Sequence, residues 1–150
     1  MVRAALVVIA LVGVVLADDD VPPRSKGALL GWLKAGTYRA TYVGEPAVHD
    51  SESGIHGRRV RIWYSPTLAE DLRAGRDVFR KRAAMVKELD GGGWAVMRKV
   101  RRRSGRRGGG WLFYETLDAT GRDAYFGRAL PVCAGCHRDG TDFLRSSFRP

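Results

Sequence analysis

The sequence predicts an α+β domain, mainly an antiparallel sheet of four to six strands with short flanking helices. Three observations carry this. Five segments alternate or are rich in β-branched and aromatic residues, namely 38–43, 60–64, 83–89 and the pair 94–100 and 111–116. The helical stretches are all short, which excludes a bundle. No internal repeat or composition break divides the 150 residues, a length that suits one domain.

The N-terminus stands apart from that domain. Arg3 is a short positive region, residues 4–16 form an apolar run, and Val15-Leu16-Ala17 offers small residues where a signal peptidase cuts. A cleaved signal peptide over residues 1–17 is expected, and with it export to the periplasm. The other reading is a membrane anchor, but thirteen apolar residues fall short of the ~20 that span a bilayer. Residues 18–26, with Pro22-Pro23, read as a flexible leader, and order is expected from near Gly27 within a domain of residues 27–150.

Residues 28–34 are an apolar helix stopped by Gly36, followed by a strand over 38–43. Residues 45–57 lack periodicity and form a loop holding His49 and His56. After the strand at 60–64, Ser65-Pro66 supplies an N-cap and a first-turn proline for a helix that ends at Gly75. Alternation over 83–89 puts Met85 and Lys87 on one face, with Ala84, Val86 and Glu88 on the other. Residues 94–100 and 111–116 pair across a basic, glycine-rich loop. Seven Arg or Lys lie between Arg98 and Arg107, and a charge run of this kind reads either as a solvated hairpin tip or as a docking patch.

The most specific stretch is Cys133-Ala134-Gly135-Cys136-His137. Two thiols two residues apart on one tight turn can each form a thioether to a haem vinyl group, which brings the adjacent imidazole under the iron, so CxxCH reads as a c-type haem attachment site. Cys133 and Cys136 are the candidate haem anchors and His137 the candidate iron ligand. A disulfide, a partial zinc site and chance are the competing readings. Zinc would have only His49 and His56 to complete its four ligands, and a thioredoxin-type dithiol belongs near a helix start in a βαβ unit. An export signal and CxxCH reinforce one another, because c-type haem is attached outside the bacterial cytoplasm.

The motif's position narrows the class further. Small electron-transfer cytochromes carry it early, with a later methionine as second axial ligand. Here 13 residues follow His137 and none is Met or His, so a sixth ligand comes from upstream or is absent. Without Arg3 the chain keeps 25 basic against 16 acidic side chains, a formal +9. In an exported protein that balance points to an acidic redox partner or an anionic membrane surface rather than to nucleic acid.

From about Trp32 onward the chain resembles the cytochrome P-460 and cytochrome c′-beta family. The resemblance rests on Val86-Lys87-Glu88-Leu89, on the hairpin with Trp111-Leu112-Phe113-Tyr114, and on Cys133 to His137 followed by Thr141-Asp142-Phe143. It implies one five-coordinate c-haem with His137 as proximal ligand, on a small antiparallel sheet, in a homodimer. In the P-460 branch a lysine bonds the porphyrin and the protein oxidises hydroxylamine; Lys87 matches that lysine. An ordinary strand lysine is the other reading of Lys87. Arg61 falls where the enzymes carry an arginine near the distal pocket, or else is a solvent-facing strand residue. The enzymes' distal carboxylate has no match in residues 94–99, so acid–base help would come from Glu88, Glu115 or a loop histidine. The c′-beta branch binds nitric oxide under an apolar cap, for which Phe79, Met85, Trp94, Val96 and Phe113 are candidates, although such residues are more often simply core. His49 or His56 could serve as an iron or second-metal ligand; loop histidines more often bond the backbone.

The function expected is therefore an exported mono-haem c-type cytochrome acting on small nitrogen compounds, by nitric oxide binding or hydroxylamine oxidation. The alternatives are an electron carrier docking an acidic partner through the basic hairpin, and an exported interaction domain whose CxxC is only a disulfide.

Overall fold

The structure is a computed structural model and describes residues 20–146. The expected signal segment, residues 1–17, lies outside the described residues. Those residues form a mainly antiparallel sheet with three short helices, in agreement with the α+β expectation. The helices are α1 (Lys26–Ala35), α2 (Pro66–Arg73) and α3 (Pro131–His137). The strands are β1 (Val43–Gly44), β2 (His49–Asp50), β3 (Arg59–Tyr64), β4 (Ala84–Leu89), β5 (Trp94–Lys99), β6 (Trp111–Thr116) and β7 (Tyr125–Arg128). Seven strands among the described residues exceed the four to six expected, because β1 and β2 are two-residue pairings onto β3. The order is β1-β3-β4-β5-β6-β7, so each long strand pairs with its neighbour in sequence.

Both faces of the sheet are covered. On one, Trp63, Val86, Val96 and Tyr114 pack under Leu29 and Leu33 of α1. On the other, Ile62, Tyr64, Met85, Met97 and Phe113 pack with Leu68 and Ala69 of α2, Ala134 of α3 and Phe143. Double coverage explains why β6 is buried at five of its six positions while still alternating in sequence.

Local chemistry sets the element ends. Gly36 stops α1 in the left-handed region at φ 67°, and its N–H bonds back to Leu33 and Trp32 carbonyls. Ser65 caps α2: its Oγ accepts from Leu68 N at 3.2 Å and also from Ala84 N at 2.9 Å, tying the helix start to β4.

Three expectations are corrected. The strand over 38–43 is instead a 3₁₀ turn, Thr37–Ala40, with strand pairing only from Val43. The reversal at Gly36 leaves no room for an extended run, and fully buried Tyr38 packs its ring 5.1 Å from Trp32 of α1. The chain is also packed earlier than Gly27: Val21 and Pro22 are buried, Tyr42 Oη donates to Asp20 O at 2.7 Å, and Arg98 donates to Pro22 O. Finally, the CxxCH motif forms helix α3 rather than only a tight turn.

Candidate functional site

Strand register assembles the floor of an open cleft. One row across the sheet reads Ile62, Lys87, Ala95, Glu115, Tyr125, each the paired neighbour of the next. The row beside it includes Met85, Met97 and Phe113. Both rows face the cleft, which is walled by α3 on one side and by the 45–57 loop on the other. It encloses about 1290 Å³ of non-protein space, part of it continuous with solvent, and exposes Ile55, Tyr125 and Val132 at its rim. Lys87 and Glu115 stand two strands apart, roughly 10 Å, and the small Ala95 between them leaves the space over the floor open.

α3 brings Cys133, Cys136 and His137 to the cleft wall. Both cysteines are free thiols. Burial pushes the Cys133 thiol up to about 11, with Glu115 and Cys136 adding to the effect. His137 Nδ1 lies 3.0 Å from Phe143 O. A carbonyl only accepts, so Nδ1 carries the proton and Nε2 keeps its lone pair. Burial, foremost, lowers the His137 pKa, with His56 and Lys87 acting in the same direction against the Phe143 bond, so the neutral imidazole is favoured.

The carbonyl that orients His137 is itself fixed. Asp142 lies in the left-handed region at φ 45°, and its carboxylate pairs with the Lys99 ammonium, takes Ser104 Oγ at 2.5 Å and takes Phe79 N at 3.0 Å. Its own carbonyl accepts from Trp111 Nε1 at 2.6 Å. Burial lowers the Lys99 pKa against the pull of Asp142. Gly108 completes the packing: a Cβ there would meet the Phe143 ring at 3.0 Å and Ala134 at 3.3 Å, so the basic loop lies directly against α3.

Across the cleft, His56 Nδ1 donates to Glu115 Oε1 at 2.8 Å. The His56 and His137 rings are 6.0 Å apart, centre to centre, and Phe113 meets His137 at 5.7 Å. Lys87 has no hydrogen bond or ion pair among the described residues. Burial lowers its pKa, opposed by the more distant Glu45, Glu115 and Glu52. His49 is used up: Nδ1 bonds Asp50 O at 2.9 Å and Nε2 bonds Glu45 Oε2 at 2.7 Å.

The structure thus brings together Lys87, Cys133, Cys136 and His137. Arg61 does not join them. Val60 and Ile62 line the cleft, so strand alternation turns Arg61 to the other face, where its guanidinium stacks 4.5 Å over Trp63 and donates to Glu45 O; the distal-pocket expectation for Arg61 is corrected. Of the acid–base candidates, Glu115 and His56 stand in the cleft, while Glu88 accepts from Tyr38 and Arg39 on the opposite face. Of the expected apolar cap, Met85 and Phe113 line the cleft, Phe79 packs beyond it and Trp94 lies on the other face; Val96 borders the cleft but packs with that other face. The Lys99–Asp142 clasp was not foreseen. Its signal was parity: Lys99 shares the inward phase of β5 with Met97, and an inward lysine needs a buried acid.

No protein-family model and no curated protein matches this chain. Among the described residues, no helix is long and apolar enough to cross a membrane.

Proposed function

We propose that this protein is an exported, periplasmic mono-haem c-type cytochrome that handles small nitrogen compounds at the cleft. The observation that carries the reading is His137: on a CxxCH helix, its Nδ1–H is pinned to Phe143 O and its Nε2 lone pair is left without a partner, beside two free cysteines on the wall of a largely apolar cleft. The donor set fits a covalent haem, with Cys133 and Cys136 as thioether anchors and His137 as iron ligand. The bound iron would supply the redox or ligand-binding chemistry. Around it the chain contributes Glu115 as a proton acceptor steadied by His56, and Lys87, an unpartnered amine on the cleft floor whose pKa burial lowers. That amine supports the haem cross-link and hydroxylamine oxidation implied by the family resemblance, while Met85 and Phe113 on the floor support nitric oxide binding.

The test is expression in a host with c-haem maturation, followed by mass measurement after denaturation and a ferrous spectrum. Covalent haem, lost when Cys133 and Cys136 are both replaced by Ala, is expected; protein of unmodified mass overturns the reading. A red-shifted Soret band that disappears in Lys87→Ala selects the oxidase, and an ordinary spectrum that shifts with nitric oxide selects the ligand binder.

One observation favours an electron carrier as a second reading. Arg101, Arg102, Arg103, Arg106 and Arg107 are exposed on the loop that packs against α3, which places a positive surface beside the CxxCH helix. Electron exchange with an acidic partner would then slow as salt rises.

A further inference from the structure

We infer that His56 is a second imidazole ligand of the iron, so that His137 and His56 hold it together in the resting protein. This rests on the haem-binding reading and concerns only the position that His137 leaves open. Two imidazoles bonded at ~2 Å to one metal stand with ring centres roughly 6 Å apart. The His56 and His137 rings are 6.0 Å apart, at 55° to one another.

The anchoring matches as well. A metal-bound histidine usually donates its other N–H to a carboxylate or a carbonyl, which fixes the tautomer and aims the lone pair. His137 does so to Phe143 O at 3.0 Å, and His56 does so to Glu115 Oε1 at 2.8 Å. Glu115 is held by β6 and fixed in register against Ala95 and Tyr125, so the anchor is part of the sheet. Neither Nε2 has a hydrogen-bond partner among the described residues.

Other donors near the cleft fit less well. Both nitrogens of His49 are engaged, and Met85 and Met97 are buried within the floor cluster. Among the described residues no group of three or more His, Cys, Asp or Glu is placed to hold a metal ion. Two imidazoles therefore suit a metal that arrives with its own equatorial ligands, as haem iron does. The consequence is competition: a small molecule reaches the iron only by displacing His56.

The test uses the full chain made with c-haem maturation. The ferric absorption and electron paramagnetic resonance spectra are expected to be six-coordinate and low-spin. In His56→Ala they become high-spin and return to low-spin on addition of free imidazole, while His49→Ala stays like the parent. Carbon monoxide binds the ferrous His56→Ala protein at least roughly tenfold more tightly, because the competent state is no longer a minor population. His56→Gln, which keeps a polar partner for Glu115, gives the same result if the Ala variant fails to fold. A haem-loaded parent that is already high-spin overturns the inference. So does a low-spin spectrum that survives both His56 substitutions and is lost in Lys87→Ala or Met85→Leu. Each of these leaves the haem reading standing; a parent without covalent haem removes both.

Discussion

Breaking the Lys99–Asp142 clasp tests whether the loop after α3 is held by one buried ion pair. The Lys99 side chain has no exposed surface and that of Asp142 only 5%. Removing one member of a buried pair leaves the other charge unneutralised and costs about 3–5 kcal/mol. The two single variants should differ. Lys99→Met leaves the carboxylate with Ser104 Oγ and Phe79 N as donors, so it falls near ~3 kcal/mol. Asp142→Ala strands the ammonium beside Ser104 and the Trp111 ring, 4.9 Å away, and also frees Phe79 N, so it falls near ~5 kcal/mol. For a domain of this size these losses lower Tm by roughly 10–20 °C. The double variant should cost less than the two singles added, with a coupling of about 2 kcal/mol. Urea unfolding followed by tryptophan fluorescence measures all four corners, since Trp111 sits at the clasp. Single variants that each cost under about 1 kcal/mol, or costs that simply add, would refute the reasoning.

Other outcomes follow from the same contacts. Ser65→Ala removes an acceptor shared by two buried N–H groups and should cost about 2 kcal/mol by urea unfolding, with little change at the cleft. His49 has a raised pKa, first through the Asp50 carbonyl and then through Glu45, so its contribution is present below its unfolded value and is lost as pH rises through the folded one. His49→Gln should therefore lower Tm at about pH 5.5 and leave it unchanged at about pH 8.5. Lys87 runs the other way: its folded pKa is depressed, so its charged form opposes folding until pH climbs through that value toward the unfolded one. Lys87→Met should raise Tm of the haem-free chain at neutral pH, with the gain fading near about pH 10.5.

How far the sequence carries depends on the range of the interaction. Alternation over residues 83–89 puts Met85 and Lys87 on one face, and the cleft contains both. Ser65-Pro66 and Gly36 mark helix ends because caps act within a few residues. The same parity in β3 places Arg61 with Trp63 and away from Val60 and Ile62, which line the cleft. What lay beyond the sequence is long-range pairing. Lys99 read as part of a basic run because Asp142 is 43 residues away, and only the folded sheet shows them buried together. His56 and Glu115, 59 residues apart, were each candidates, and no spacing rule joins them. β7 has no strong alternation: Gly127 interrupts it, and pairing with β6 alone makes it a strand.

The clasp also bears on the order in which the chain folds. α3 has seven residues, too few to be stable alone, and its fixed surroundings come from Phe79, Lys99, Ser104 and Trp111, all earlier in the chain. Lys99 of β5 and Trp111 of β6 hold Asp142, so the last segment has its docking surface only once those strands are paired. The Cys133 thiol, half-buried once docked, would thus be most open to chemical modification while the segment is still undocked, and docking afterwards closes that window.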